Sequence, residues 1–291
     1  MYKLSNQWLS VQVSPVGAEL CSLYSPVTDI EYLWQPGYET WPHSSMLLFP
    51  NPGRIARGRT VIDGKVYPAN MHGFAAELPF TEVVSQPDRL VLELKDCPET
   101  RKYFPYAFVL QVEFLLWGEM LVQTFRVMNR GDKPMYYGLG GHPGFYCPLV
   151  LGEKAEDYSL LFDCPQKLDQ LELEENTRLL TGKQLPYMHG QSRIPLHERF
   201  FDNGPMLFTG MDAKTVTLQS RRSGRFVEMG IAGFPDLCLW GVPTRMSLIA
   251  IEPWIGTTDR ADTDHIWEHK PHLQCLQSGQ ENTHRLTFRV G

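Results

Sequence analysis

Short apolar runs that alternate with polar residues recur along the whole chain, and Gly, Pro, Asp and Asn separate them. No segment keeps the i, i+3, i+4, i+7 apolar stripe of an amphipathic helix over three turns. Val, Ile, Phe, Tyr and Leu dominate the runs, which is typical of an all-β sandwich or barrel. No internal repeat or long linker divides the chain, so we expect one large antiparallel β domain over residues 1–291.

Two local patterns give specific structural expectations. Residues 59–67 predict a hairpin, because Asp63-Gly64 between two β-branched runs suits a two-residue type I′ turn. Residues 171–176, in the more acidic and polar middle of the chain, are expected to form an exposed connection.

Composition and charge narrow the function classes. The 291 residues are 43% apolar, enough for a large core, and the net charge of −6 argues against a nucleic-acid partner. No apolar run approaches the ~20 residues of a membrane span, and the N-terminus lacks the pattern of a signal peptide. The six cysteines are scattered without a CxxC pair, so we expect reduced thiols and a cytoplasmic location.

A glycine-rich run near the middle of the chain is the first candidate for a site. Tyr136, Gly138, Gly140 and His142 share one face of a strand by alternation, and two of the four have no side chain. Glycine in a strand often marks a place where a ligand comes close. Pro143 is expected to hold His142 extended as the strand ends. This pattern predicts an imidazole beside a bare backbone shelf, although a β-bulge with a hydrogen-bonded structural histidine fits it equally well.

A glutamate at a predicted strand end is the second candidate. Leu248, Ala250 and Glu252 share one face by alternation, and Pro253 is expected to end regular pairing. Partial burial would raise the pKa of Glu252 and make it a better base near neutral pH. Trp254 could stack on the apolar face of a pyranose. The alternative is a salt-bridged core glutamate.

Three further residues are weaker candidates. Arg54 ends a stiff loop with two prolines and a glycine, and its guanidinium suits hydroxyls and carboxylates, although a surface arginine is the simpler interpretation. His72 precedes Gly73 and can equally be a buried, hydrogen-bonded histidine. Asp202 is most simply the first residue of an Asx turn.

A possible metal-binding motif is present, but it does not lie on a predicted helix. His265, Glu268 and His269 have the H-x-x-E-H order of some zinc peptidases, which place it on a helix. Here the motif lies in a polar stretch with Pro271 just after it. Phosphate-loop, dinucleotide-binding and nucleophile-elbow patterns are also missing from the sequence, so we expect no metal and no other cofactor.

Seven short motifs occur in order along the chain: Leu48-Phe-Pro-Asn-Pro-Gly-Arg-Ile, Asp63-Gly-Lys-Val-Tyr-Pro, Met71-His-Gly-Phe, Gly140-Gly-His-Pro-Gly-Phe, Arg199-Phe-Phe-Asp, Ser223-Gly-Arg and Ile251-Glu-Pro-Trp-Ile-Gly. Each motif is weak by itself, but the ordered set is specific. By these motifs the chain resembles the aldose 1-epimerase (galactose mutarotase) family, and most of all its shorter, LacX-like bacterial branch. The resemblance implies a large antiparallel β-sandwich, the supersandwich of galactose mutarotases.

The resemblance also implies an activity and a set of site residues. The family interconverts the α and β anomers of a sugar with two histidines, a glutamate, an arginine and an aspartate, which match His72, His142, Glu252, Arg54 and Asp202. Glu252 is then expected to be the base on the O1 hydroxyl and His142 the acid at the ring oxygen. Typical galactose mutarotases have an Asn-His pair where this chain has Gly141-His142, so galactose is not assumed to be the substrate.

Two other functions remain open from the sequence. A mutarotase for hexose 6-phosphates would need extra cations beside the site; Arg57 and Arg59 are near Arg54 in sequence, but strand alternation can point them elsewhere. A carbohydrate-binding module without turnover would keep the Trp254 surface and lose the acid–base pair. In each case the partner is a small sugar.

Overall fold

The chain folds almost entirely into β-strands, as the apolar pattern predicts. The structure is a computed structural model that describes residues 1–36, 41–244 and 246–291. The strands are β1 (Tyr2–Ser5), β2 (Ser10–Val13), β3 (Leu20–Ser25), β4 (Ile30–Glu31), β5 (Ser45–Leu48), β6 (Arg59–Ile62), β7 (Lys65–Pro68), β8 (Thr81–Ser85), β9 (Arg89–Lys95), β10 (Phe108–Trp117), β11 (Met120–Asn129), β12 (Met135–Tyr137), β13 (Leu139–Tyr146), β14 (Tyr158–Leu173), β15 (Leu180–Pro195), β16 (Met206–Thr209), β17 (Thr215–Ser220), β18 (Phe226–Gly230), β19 (Asp236–Gly241), β20 (Leu248–Ile255), β21 (Gln274–Leu276) and β22 (Glu281–Val290). Short 3₁₀ helices lie at Ala56–Gly58, Ala75–Glu77, Thr100–Lys102, Ala155–Asp157 and Trp267–His269.

The strands form one dominant sheet and three small ones. The large sheet has fourteen strands in the order β5-β13-β20-β19-β16-β14-β17-β18-β22-β11-β10-β9-β8, and β15 pairs with β14 outside this path. β1 to β4 form a second sheet, while β6 pairs with β7 and β12 with β21. The pairings of these strands are antiparallel, so the prediction of a large antiparallel all-β fold is confirmed.

The Asp63-Gly64 hairpin is confirmed. β6 and β7 pair with Ile62 opposite Lys65. Asp63 and Gly64 both have positive φ, of 48° and 72°, as a type I′ turn requires.

The glycine-rich run is two strands, and the expectation of one strand ending at Pro143 is wrong. β12 ends at Tyr137 and β13 begins at Leu139. Gly138 lies between them in a crowded position, where a Cβ would be 2.8 Å from both the Ile255 carbonyl oxygen and Pro52 Cδ. Tyr136 therefore lies in a different sheet from His142.

Neither proline ends its strand. β13 continues through Pro143 to Tyr146, and β20 continues through Pro253 to Ile255. The two strands pair at Gly140–Trp254 and again at Gly144–Ala250, with no pairing in between. Proline has no N–H to donate to a ladder, so both prolines lie where the ladder between β13 and β20 is interrupted.

The acidic segment is an exposed connection only in its second half, because residues 174–176 lie between β14 and β15 and Glu175 and Asn176 are exposed. Residues 171–173 belong to β14, which pairs with β15 over most of its length and also with β16. Leu171 is buried, and it packs in a small cluster with Leu180 and Leu207. Burial of the apolar residues on one face of the hairpin stabilises the strand, although acidic residues lie between them.

The central strands have an apolar face toward the main core and a second face toward a cleft. Ile249 and Ile251 of β20 belong to the main hydrophobic core. Trp254 on the opposite face belongs to the small cluster with Leu48 and Cys238. This division confirms the alternation predicted for β20 and places Glu252 on the cleft face.

The remaining features bear on the location and organisation of the protein. No helix in the described part of the chain is long and apolar enough to cross a membrane. All six cysteines are free thiols. A cytoplasmic location and a single domain over residues 1–291 stay predictions.

Candidate active site

An open cleft of about 460 Å³ lies over the cleft face of the central strands. Five neighbouring strands supply its floor, and each contributes the side chain that alternation turns away from the main core. The floor residues are Met46 of β5, His142 of β13, Glu252 and Trp254 of β20, Cys238 of β19 and Leu207 of β16.

His142 and Glu252 form the central polar contact of the floor. The register between β13 and β20 makes them direct cross-strand neighbours, within the interrupted part of the ladder. His142 Nε2 lies 3.2 Å from Glu252 Oε1, and the two residues are only 6% and 1% exposed. Among the described residues, His142 Nδ1 and Glu252 Oε2 have no hydrogen-bond partner. A ligand in the cleft could supply partners for these atoms.

Burial moves the pKa values of the two groups in opposite directions. It lowers the pKa of His142 well below 6.5, and the nearby His72 ring acts in the same direction. It raises the pKa of Glu252 well above 4.5, while Cys238 and Trp254 beside the carboxyl oppose the shift. Both shifts favour a neutral His142 ring and a protonated Glu252 carboxyl, so the pair holds one proton, with a second proton site 3.2 Å away.

His72 reaches the same cleft from the loop after β7. It has a φ of 63°, and Gly73 after it approaches Phe49 so closely that a Cβ would lie 2.1 Å from the Phe49 carbonyl oxygen. The Gly53 N–H donates to His72 Nδ1 at 3.1 Å, which leaves the ring proton on Nε2 in the neutral form. Burial lowers the pKa of His72 to about 4, helped by the positive charge of Arg54.

The rings of His72 and His142 lie close together. Their centroids are 5.6 Å apart, and the His72 ring is 5.9 Å from that of Trp254. The structure therefore brings the two predicted histidines together with Glu252 and Trp254, although these residues are far apart in sequence.

Arg54 borders the cleft and lies on a loop that backbone hydrogen bonds hold in place. Its N–H donates to Thr258 Oγ1 at 2.6 Å, and its carbonyl accepts from the Asp259 N–H at 2.9 Å. The side chain is exposed and lies at the cleft wall, as a sugar-binding arginine would. Thr258 and Asp259 follow β20 closely, so the loop of Arg54 is tied to the strand of Glu252.

Asp202 is not brought into this set. Its carboxylate accepts the Thr244 N–H at 3.0 Å and pairs with Arg199 at 2.5 Å. It does not cap its own backbone as an Asx turn would, and it does not line the cleft. The local contacts occupy the carboxylate, so the position of Asp202 does not support the site role that the resemblance implies for it.

The cleft is richer in aromatic residues than the sequence analysis predicts. Trp254 borders it and is 4% exposed. Trp41 stacks on the His142 ring with centroids 4.6 Å apart, and Trp240 lies 5.9 Å from it. Trp240 lies two residues after Cys238 on β19, so the two side chains share one face of the strand. This spacing could have identified Trp240 from the sequence. Trp41 lies outside any regular strand and gives no such signal.

Arg178 is a charged residue of the cleft that the sequence analysis does not identify. It lies in the turn between β14 and β15 and borders the cleft with Gly204 and Pro205. Its position depends on the β14–β15 hairpin, which the acidic composition of residues 171–176 made difficult to predict.

The H-x-x-E-H motif lies in a short 3₁₀ helix and the turn before it. His269 pairs with Asp264 at 2.6 Å. Among the described residues, no group of three or more His, Cys, Asp or Glu side chains could hold a metal ion.

Comparisons with known proteins identify the family and the fold of the chain. The sequence model of the aldose 1-epimerase family matches residues 1–230. The plasmid-encoded protein LacX of Lactococcus lactis subsp. lactis is 31% identical over 278 residues, which cover 93% of each chain. The crystal structure of a galactose mutarotase related enzyme from Lactobacillus acidophilus has a TM-score of 0.94 at 29% identity, covering 100% of this chain and 97% of the other. A galactose mutarotase-like protein from Lactobacillus casei has a TM-score of 0.92 at 26% identity, with 100% of both chains covered.

These likenesses agree with the resemblance seen in the seven motifs. The fold is the large antiparallel β-sandwich of galactose mutarotases, as the resemblance implied. The chain belongs to the aldose 1-epimerase family and is an isomerase of that type.

Proposed function

We propose that the protein interconverts the α and β anomers of an aldose by acid–base opening and closure of the pyranose ring. The observation that carries this proposal is the buried pair of His142 Nε2 and Glu252 Oε1, 3.2 Å apart on the floor of an open cleft. Anomer exchange needs two proton transfers at neighbouring oxygens, and this pair offers two proton sites side by side.

The ring opens by a proton transfer at each end of the hemiacetal. The reaction starts from the form of the pair in which the proton has passed from Glu252 to His142. The Glu252 carboxylate takes the proton of the anomeric hydroxyl, and protonated His142 gives its proton to the ring oxygen as the C1–O5 bond breaks. The product is the open-chain aldehyde, with Glu252 protonated and His142 neutral. Rotation about C1–C2 presents the other face of the carbonyl, and the two transfers then run in reverse.

The surrounding residues orient the sugar and stabilise charge. His72 is held with Nε2–H as a donor, which suits a hydroxyl or a developing oxyanion. The Arg54 guanidinium is placed at the wall to donate to ring hydroxyls. Trp254, with Trp41 and Trp240, gives the cleft an apolar surface for the carbon face of a pyranose.

The substitution Glu252→Gln tests the proposal. It keeps the shape of the side chain and removes the base, so we expect the rate of anomer exchange to fall by ~10²–10⁴-fold. Polarimetry on freshly dissolved α-glucose and α-galactose measures the rate, with the spontaneous reaction subtracted. Glu281→Gln changes an exposed glutamate of β22 and serves as the matched control.

Two results would count against the proposal. Equal rates for Glu252→Gln and wild type would remove Glu252 from the mechanism. Sugar binding by wild-type protein without faster exchange in NMR spectra would instead identify a carbohydrate-binding module.

A further inference from the structure

Two arginines border the cleft from different loops. Arg54 follows β5, and Arg178 lies in the turn that joins β14 to β15. Among the described residues, neither guanidinium forms an ion pair with a carboxylate of the protein. Each guanidinium therefore keeps donors that the protein itself does not use.

Contacts with the backbone of a neighbouring loop hold the Arg178 side chain in place. Its backbone has a φ of 57°, and its N–H donates to the Glu174 carbonyl at 3.0 Å. Its Nη1 donates to the Asn203 carbonyl at 3.0 Å. The guanidinium lies against Gly204, where an added Cβ would be 3.0 Å from Nη1. One of its five donors is used, and the others remain available at the cleft wall.

The positive charge at the cleft contrasts with the net charge of −6 on the whole chain. The carboxylate of the cleft is Glu252, and burial raises its pKa, so it offers little fixed negative charge to balance two guanidinium groups. A second basin of about 570 Å³ adjoins the cleft at Arg54 and Met71 and is bordered by both Arg57 and Glu174, so its charges are mixed. The cleft itself, with two guanidinium groups, is thus the local site for an anion on an acidic protein.

We propose that the aldose bound here carries an anionic substituent, a phosphate or a carboxylate, held by Arg54 and Arg178. The inference rests on the proposed function, because it names the substrate class of the same cleft. A hydroxyl accepts hydrogen bonds at a single oxygen, whereas a phosphate or carboxylate presents two oxygens that fit the fork of a guanidinium. Arg57 borders only the adjoining basin and Arg59 borders neither space, so the extra cation of the cleft itself is Arg178.

The experiment compares one neutral sugar with two charged relatives. Anomer exchange of glucose, glucose 6-phosphate and glucuronate is followed by NMR with wild-type protein and with Arg178→Met, Arg178→Lys and Arg59→Met. We expect kcat/KM of the wild type to be higher for one charged sugar than for glucose. Arg178→Met should lower that value by about tenfold to a hundredfold, the worth of a hydrogen bond between charged groups, with little change for glucose.

The other variants separate recognition from folding. Arg178→Lys keeps the charge but loses the fork, so it should restore part of the activity on the charged sugar. Arg59→Met removes an exposed arginine outside both basins and should leave all rates unchanged. The preference for phosphate over carboxylate, or the reverse, identifies the substituent.

The outcomes distinguish failure of this inference from failure of the proposed function. Faster exchange of glucose than of both charged sugars would overturn the inference and leave the mutarotase function in place. So would an equal effect of Arg178→Met on all three sugars. If no sugar exchanges faster than in buffer, the proposed function fails, and calorimetric binding must still favour a charged sugar for the inference to stand.

Discussion

His142 Nε2 and Glu252 Oε1 lie 3.2 Å apart while burial shifts the pKa values of the two groups in opposite directions, so catalysis should depend on pH through the pair. Acid adds a second proton, which removes the base, and alkali takes the shared proton, which removes the acid. Because the pKa of His142 lies well below 6.5, we expect the acid limb of kcat/KM to lie below pH 6.5. Polarimetry across the pH range, corrected for the spontaneous reaction, measures it. An acid limb at or above 6.5 would contradict this arrangement.

The residues of that pair could be found from the sequence because each carries a local signal. Alternation places Glu252 on one face of β20, and the glycines beside His142 mark close approach. Asp202 carries a signal that fits a turn as well as a site, and the structure places it at a turn. Arg178 carries no signal, because its contacts are with Asn203 and Gly204, which are distant in the chain.

At the level of elements, local rules identified strands better than they identified strand ends. Pro143 and Pro253 were expected to end β13 and β20, and both lie inside. A proline is compatible with a strand wherever the facing ladder lacks a hydrogen bond, and that depends on the register between two strands about a hundred residues apart. The sequence of either strand alone does not determine the register between them.

The loop of Arg54 depends on a buried ion pair, which gives a prediction at this scale. Asp259 and Lys270 pair with both side chains 5% exposed, and Asp259 Oδ2 also accepts the Ala56 N–H at 2.8 Å. Lys270→Met would leave the Asp259 carboxylate buried without its cation, at a cost of about 3–5 kcal/mol in the free energy of unfolding. Because Ala56 is two residues from Arg54, we also expect KM to rise more than kcat falls. Urea denaturation and sugar kinetics measure the two effects.

A neighbouring exposed pair provides the control for this prediction. Asp262 pairs with Arg260 at the surface, and Asp262→Asn should change stability by about 1 kcal/mol or less. The double variant Asp259→Asn with Lys270→Met should lose less stability than the sum of the two single changes. Simple additivity would show that the pair is not coupled.

At the level of the whole molecule, the class of fold follows from the alternation of short strands, but the order of the large sheet does not. Met46, His142 and Glu252 lie on adjacent strands because β5, β13 and β20 pair across long stretches of chain. Many orders of fourteen antiparallel strands satisfy the same local pattern. The ordered motifs predicted that His142 and Glu252 share one site, because the resemblance implied that both act on the sugar.

The stability of the whole molecule should fall with acid through a histidine outside the cleft. His284 of β22 accepts or donates a hydrogen bond with the Tyr137 hydroxyl at 2.7 Å, and burial lowers the pKa of His284 from 6.5 to about 4. Between those pH values the unfolded chain binds a proton at this site that the native state does not, so the free energy of unfolding decreases as pH falls. The contribution of this residue is at most about 3 kcal/mol. His284→Gln keeps a polar group near Tyr137 and should make the acid loss smaller, whereas His189→Gln, an exposed histidine of β15, should not. Urea denaturation at several pH values measures the difference. An unchanged slope in His284→Gln would mean that protonation of this buried histidine does not contribute to acid unfolding.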